Sequence, residues 1–176
     1  MNALIDYTEE GVPAAWPAAP ADLSAAAAAI DVAVVWSRIE AYITKRWKTR
    51  DVVQYVAGPG LYVPTVEPWV FESSDKWEGG AWVPVVLDLA PRGYYLPAGD
   101  YKITLTVGDA GDPPPSVMQA YRRLAEYMAE TKPEGGASSI SDGDFSINRS
   151  SNAVARALFY SGAADLLRTF RKGRKA

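Results

Sequence analysis

Tyr101-Lys102-Ile103-Thr104-Leu105-Thr106-Val107 alternates apolar and polar residues without a break. Successive side chains of a strand point to opposite faces, so Tyr101, Ile103, Leu105 and Val107 share one face and Lys102, Thr104 and Thr106 the other. One face packs, and the other meets water or a neighbour. Upstream the same β-branched and aromatic texture runs back to Val52, in Val52 to Val56, Thr65 to Phe71 and Ala81 to Leu87. Gly58-Pro59-Gly60, Gly79-Gly80, Pro91-Arg92-Gly93 and Pro97-Ala98-Gly99-Asp100 punctuate these runs, and each can turn the chain sharply. The pattern predicts a small antiparallel β-module over about residues 51–108.

Helical periodicity flanks the module. Val32, Val35, Ile39, Tyr42 and Ile43 recur at three-and-four spacing, behind Asp22 or Ser24 as a cap, in a helix expected to reach about Trp47. After Asp112-Pro113-Pro114-Pro115, Ser116 can cap a second helix with Val117, Tyr121, Leu124 and Met128 on one side and Gln119, Arg122, Arg123 and Glu126 on the other. A last helix begins near Ser150 to Asn152 with Val154, Leu158, Leu166 and Phe170. Gly162 falls on its progression and either admits a close neighbour or breaks the helix in two. The expected fold class is α+β: packed α-helices, one N-terminal and two C-terminal, with the small antiparallel β-module inserted between them. Residues 1–21, with the Pro-interrupted Val12 to Pro20, read as an extended N-terminal arm, 22–167 as a single domain, and 168–176 as a basic C-terminal tail. Lys132 to Ser146, rich in Gly, Ser and Asp, reads as a long loop.

Composition narrows the chemistry. The 176 residues are 48% hydrophobic, enough for a substantial core, and include no cysteine and no histidine. Disulfides, thiolate nucleophiles, imidazole bases and most zinc, copper and haem sites are thereby removed. No apolar run approaches the ~20 residues of a membrane helix, and MNALIDYTEE lacks the pattern of a signal peptide, so a soluble protein with no membrane partner is expected. The formal charge is −3, yet Arg168, Arg171, Lys172, Arg174 and Lys175 crowd the end without an acid, leaving about −8 on the residues before them. An acidic body with a basic tail suits an acidic partner surface or nucleic acid.

Catalytic constellations are not visible. Asp142-Gly143-Asp144 resembles a fragment of a calcium loop, but the remaining ligands are missing, and a Gly/Asp turn is the better reading. Gly58-Pro59-Gly60 and Gly135-Gly136 lack the lysine and hydroxyl of a phosphate loop. Ser138, Ser139 and Ser141 have no histidine to activate them. Neither an enzyme, a cofactor nor a metal is expected. One constellation offers an alternative: Glu67, Glu72, Asp75 and Glu78 surround Trp69, Trp77 and Trp82, a composition suited to a carbohydrate- or ligand-binding β-module with helical flanks.

Three stretches together carry a resemblance. They are Trp36-Ser37-Arg38-Ile39-Glu40-Ala41-Tyr42 leading to Arg50-Asp51-Val52-Val53; Ala120-Tyr121-Arg122-Arg123-Leu124-Ala125-Glu126-Tyr127; and Ser161-Gly162-Ala163-Ala164-Asp165-Leu166-Leu167-Arg168-Thr169-Phe170-Arg171-Lys172. In this order the chain resembles the head-tail connector, or adaptor, proteins of long-tailed bacteriophages and phage-derived gene transfer agents. The resemblance implies a structural virion protein at the head-tail junction, assembled in a bacterial cytoplasm. It further implies a homo-oligomeric ring of about twelve copies beneath the portal protein, continuing the channel for double-stranded DNA and meeting a tail-side connector or stopper protein. It assigns portal docking to the terminal segment, carried here by Arg168, Phe170, Arg171, Lys172, Arg174 and Lys175.

Overall fold

Pairing, rather than local pattern, sets the architecture. The computed structural model describes residues 2–108, 111–131, 139–142, 145–148 and 156–171. It divides into two units, Met1–Ala15 with Thr44–Gly111, and Trp16–Ile43 with Asp112–Ala176.

The first unit is a six-stranded antiparallel sheet: β1 (Leu4–Glu10), β2 (Arg50–Tyr62), β3 (Trp69–Glu78), β4 (Ala81–Pro84), β5 (Asp88–Ala90) and β6 (Gly93–Val107). The order is β1-β2-β6-β3-β4, with β5 also paired to β6. Val52, Gln54 and Val56 of β2 stand opposite Leu105, Ile103 and Tyr101 of β6. Phe71 and Ser74 of β3 meet Leu105 and Ile103 from the other side. The period-2 alternation of β6 therefore selects one face, and Tyr101, Ile103, Leu105 and Val107 are all buried on it. On the opposite, open face Tyr55 faces Lys102 across the ladder and Lys102 faces Asp75.

The expectation of packed helices carrying a small inserted β-module is overturned: the sheet dominates the fold, and the helices are mostly C-terminal. Two breaker clusters read as turns lie within long strands. Gly58-Pro59-Gly60 and Pro97 to Asp100 face each other across the β2/β6 ladder, Gly58 opposite Gly99 and Gly60 opposite Leu96, with an irregular register between. Chain breakers paired in this way bend a ribbon without ending it. Beyond the bend, Tyr62 and Leu96 join Val52, Val56, Ile103 and Leu105 in one core cluster with Val66 and Leu87. Gly58 is required here, because a Cβ on it would stand 2.1 Å from the Pro97 carbonyl oxygen. The sheet also takes in Leu4–Glu10, within the stretch read as an arm, whose Tyr7 pairs with Tyr55 and Glu10 with Val52.

Polar groups on the buried side are held by partners. The Tyr62 hydroxyl donates to Gln54 Oε1 at 2.6 Å, while Gln54 Nε2 donates to Thr65 Oγ1 at 3.2 Å and Thr8 Oγ1 at 3.3 Å. Burial pushes the Tyr62 phenol well above its ordinary pKa, with the Tyr94 charge adding to the shift. Glu10 accepts from Arg46 Nε at 2.5 Å and Nη2 at 2.7 Å, and from Arg50 Nη1 at 3.0 Å.

The second unit holds α1 (Ala25–Ala28), α2 (Val32–Ile43), α3 (Pro115–Glu130), the hairpin β7 (Ser139–Asp142) and β8 (Phe145–Asn148), α4 (Ala157–Tyr160), α5 (Ala163–Leu167) and a 3-10 turn, Arg168–Phe170. Ser24 does cap a helix, accepting from Ala27 N at 3.1 Å, but α1 is one turn long. The main helix starts afresh at Asp31, whose Oδ1 accepts from Ala33 N at 2.8 Å. Val35, Trp36, Ile39 and Ile43 are its buried stripe. α3 begins one residue before the expected cap, with Pro115 in its first turn, where a missing N–H costs nothing. It buries Val117, Ala120, Tyr121, Leu124 and Ala125.

Trp36 and Tyr121 join the two long helices, with ring centres 5.0 Å apart. Trp36 Nε1 donates to the Pro17 carbonyl at 2.8 Å, so the Ala/Pro stretch is docked on α2. Glu126 fastens the same end of the chain, accepting from Ser24 N at 2.8 Å and Ser24 Oγ at 2.7 Å, and Arg122 pairs with Asp22. Ser139–Asp142 and Phe145–Asn148 pair antiparallel, Ile140 opposite Ile147, in a hairpin that begins inside the Lys132 to Ser146 stretch read as a loop and runs two residues past its end. Gly143 and Asp144 of the calcium-like fragment lie outside the described residues.

Candidate docking surfaces

The end of the second unit is shaped by Gly162. Its φ of 71° is left-handed, it precedes α5, and it separates α4 from α5, so of the two readings of its position the break is the one that holds. The break changes the phase of burial. Ala157, Ala163, Ala164 and Leu167 pack inward, while Leu158, Leu166 and Phe170 are half-buried and Val154 lies outside the described residues.

Two aromatic residues of α4 are left outside the core, Phe159 at 63% exposed and Tyr160 at 51%. Phe159 meets Tyr42 of α2 edge to face, with ring centres 6.0 Å apart, and Tyr160 lies 6.4 Å from Tyr127 of α3. Arg171 completes this surface: its guanidinium carbon is 5.1 Å from the centre of the Tyr42 ring. Exposed aromatic rings beside an arginine make up the composition enriched at the energetic centres of protein interfaces. Among the docking residues expected from the sequence, Arg168 and Arg171 are exposed and Phe170 is half-buried, while Lys172, Arg174 and Lys175 lie outside the described residues. Tyr42, Phe159 and Tyr160 were not singled out from the sequence as docking residues. Tyr42 fits the apolar stripe of α2, and Phe159 and Tyr160 fall off the Val154, Leu158 and Leu166 progression, so helical spacing alone does not mark them for docking.

The first unit carries a different surface. Trp77 and Trp82 stand opposite each other across β3 and β4, their rings 5.1 Å apart and 65° to one another. Trp82 is 5.8 Å from Tyr55, and Tyr55 is 6.0 Å from Tyr7, forming a row of four rings contributed by four strands. A cleft of about 440 Å3 opens beside the row, lined by Asp6, Tyr55, Val56, Trp77, Trp82, Asp100 and Tyr101. Burial raises the Tyr101 pKa, the Lys76 charge pulls it down and the Glu78 charge raises it again, leaving the phenol protonated.

The aromatic-and-acid constellation seen in the sequence is thus divided. Trp77 and Trp82 come together, whereas Trp69 belongs to another cluster with Tyr94, which also holds Phe71 at 4.6 Å. Glu78 pairs with Lys76 at 2.8 Å, and Glu67 lines a separate cleft with Lys45, Pro68 and Trp69. The carboxylates beside the Trp pair are Asp6 and Asp100, which no local spacing signals.

No protein-family model and no curated protein matches the chain in sequence. Its three-dimensional structure does have neighbours. A chain from the virion of a native gene transfer agent particle superposes over 96% of this chain and 97% of its own length, at 16% identity and a TM-score of 0.57. A chain from the neck of a native gene transfer agent particle computed with C12 symmetry covers 81% of this chain and 80% of its own, at 17% identity and a TM-score of 0.52. The chain therefore shares its fold, over nearly its whole length, with a component of gene transfer agent particles.

Proposed function

We propose that this chain is a structural, non-enzymatic component of a virion or phage-like particle at the head-tail junction. The observation that carries this reading is the shared fold with a chain of the gene transfer agent virion along almost the entire sequence. The likeness to a neck chain from a particle computed with C12 symmetry supports the finer reading, a connector adaptor forming a ring of twelve copies beneath the portal. Such a ring continues the DNA channel, and its contacts with phosphates are weak and independent of sequence.

The portal-docking surface is the terminal segment with Arg168, Phe170, Arg171, Lys172, Arg174 and Lys175. Arg171 beside Tyr42, with Phe159 exposed next to it, supports that assignment. Aromatic rings supply contact area, and guanidinium groups pair with portal carboxylates in a fixed orientation.

The experiment is to fractionate particles from the native source on a density gradient and quantify this chain by mass spectrometry. The expected result is co-migration with capsid, portal and tail proteins, at the portal's copy number. Absence from intact particles would sink the proposal. A chain ending after Leu167 tests the docking residues: it is expected to keep its circular dichroism and lose capture by the portal protein.

A further inference from the structure

The cleft beside the Trp77–Trp82 pair has a chemistry of its own. We propose that it binds the guanidinium group of an arginine carried on an extended segment of another protein. This proposal does not depend on the connector reading, because it rests on the first unit alone.

The first argument is the sign of the lining. The carboxylates of Asp6 and Asp100 offer acceptors, and among the described residues that line the cleft none is basic. Two lysines flank the cleft without lining it: Lys102 stands between Tyr55 and Asp75 across the ladder, and Lys76, whose charge reaches Tyr101, is paired with Glu78 at 2.8 Å. A donor-only cation complements such a lining. A sugar hydroxyl both donates and accepts, and two carboxylates serve only half of that requirement.

The second argument is the rings. Tyr55, Trp77 and Trp82 form a stepped wall, tilted 55° and 65° at successive contacts rather than stacked flat. Aromatic faces attract cations through their quadrupole, tryptophan most strongly. A planar guanidinium can lie on a ring while its N–H fork reaches a carboxylate, which the compact ammonium of lysine cannot do. Trp77 and Trp82 remain 46% and 36% exposed, leaving ring surface for a ligand.

The third argument is size. A cleft of about 440 Å3 exceeds a single side chain and accommodates its flanking backbone, which favours an arginine within a peptide over a free ion.

The test uses the full chain labelled with 15N and follows the indole N–H signals of Trp77 and Trp82, assigned from Trp→Phe variants. Acetyl-Gly-Arg-Gly-amide is titrated beside its Lys and Gln counterparts, with cellobiose as a sugar probe. The Arg peptide is expected to shift both signals with a dissociation constant of about 1 mM, and the Gln peptide to bind about tenfold more weakly. The pair of changes Asp6→Asn and Asp100→Asn, both at exposed positions, is expected to weaken the Arg peptide about tenfold. Trp82→Ala should do the same, and Trp82→Phe, which keeps a ring, should retain most of the affinity. Equal response to the Arg and Gln peptides, preference for cellobiose, or no shift with any probe at about 10 mM would overturn the proposal.

Discussion

Arg171, just past the last helical turn, lays its guanidinium over the ring of Tyr42 on α2, 5.1 Å from the ring centre. This contact ties the end of the described chain to a residue of α2 129 positions earlier, and presents a cation beside the exposed Phe159. An exposed cation–π pair stabilises by about 0.5–1 kcal/mol. Tyr42→Leu is therefore expected to lower the melting temperature by only about 1–4 °C. Protease cleavage after Leu167 should rise more than that shift suggests, because the segment loses its local anchor. Unchanged cleavage kinetics would show that Arg171 is held by other means.

Glu10 governs the acid sensitivity of the sheet edge. Burial pushes its carboxyl up, but the Arg46 hydrogen bond and the Arg46 and Arg50 charges outweigh it, and the folded-state pKa lies below the ordinary 4.5. A lowered carboxylate pKa contributes stability that is complete above the unfolded value and is lost as pH falls through the folded one. Glu10→Gln is expected to cost about 1–3 kcal/mol at neutral pH, since it leaves two largely buried guanidinium groups short of a charge. Urea unfolding of both proteins should show this difference shrinking below pH 4.5. A difference constant with pH would mean that shape, not charge, sets the cost.

Gly58 is limited by space. With the Pro97 carbonyl oxygen 2.1 Å from where a Cβ would sit, Gly58→Ala must push the β2 and β6 backbones apart at their bend. The expected destabilisation is about 1–3 kcal/mol, measured by chemical denaturation. Gly162 is limited instead by its left-handed backbone, which asparagine tolerates, so Gly162→Asn should cost less than Gly58→Ala.

Tyr62 and Gln54 act as a pair. Tyr62→Phe removes the donor to Gln54 Oε1 in a buried setting and is expected to cost about 1–3 kcal/mol. Combining it with Gln54→Leu should cost less than the sum of the two single changes, because no polar atom is then left waiting for the other. Strict additivity would show that the two side chains do not depend on each other.

Several elements are legible in the sequence alone. The faces of β6 follow from alternation alone, and all four residues assigned to its apolar side are buried. The stripe of α3 holds at Val117, Tyr121 and Leu124, while Met128 is only half-buried. The break at Gly162 was one of two readings of its position in the helical progression. These features belong to single segments, where the period of the side chains is set by the backbone and needs no partner.

The tertiary structure decided everything that depends on which segments meet. Glycine and proline bend a strand instead of ending it when a second breaker cluster sits opposite, and that opposition is created by the β2/β6 pairing. Leu4–Glu10 becomes a strand because an edge of β2 is there to pair with it. Residues brought from four strands compose the Trp82 row, and Tyr42, Phe159 and Arg171 compose the terminal surface from separate helices and a turn. Local sequence determined the faces of individual elements through backbone periodicity; the size of the sheet and both candidate surfaces came from long-range pairing, which no local spacing encodes.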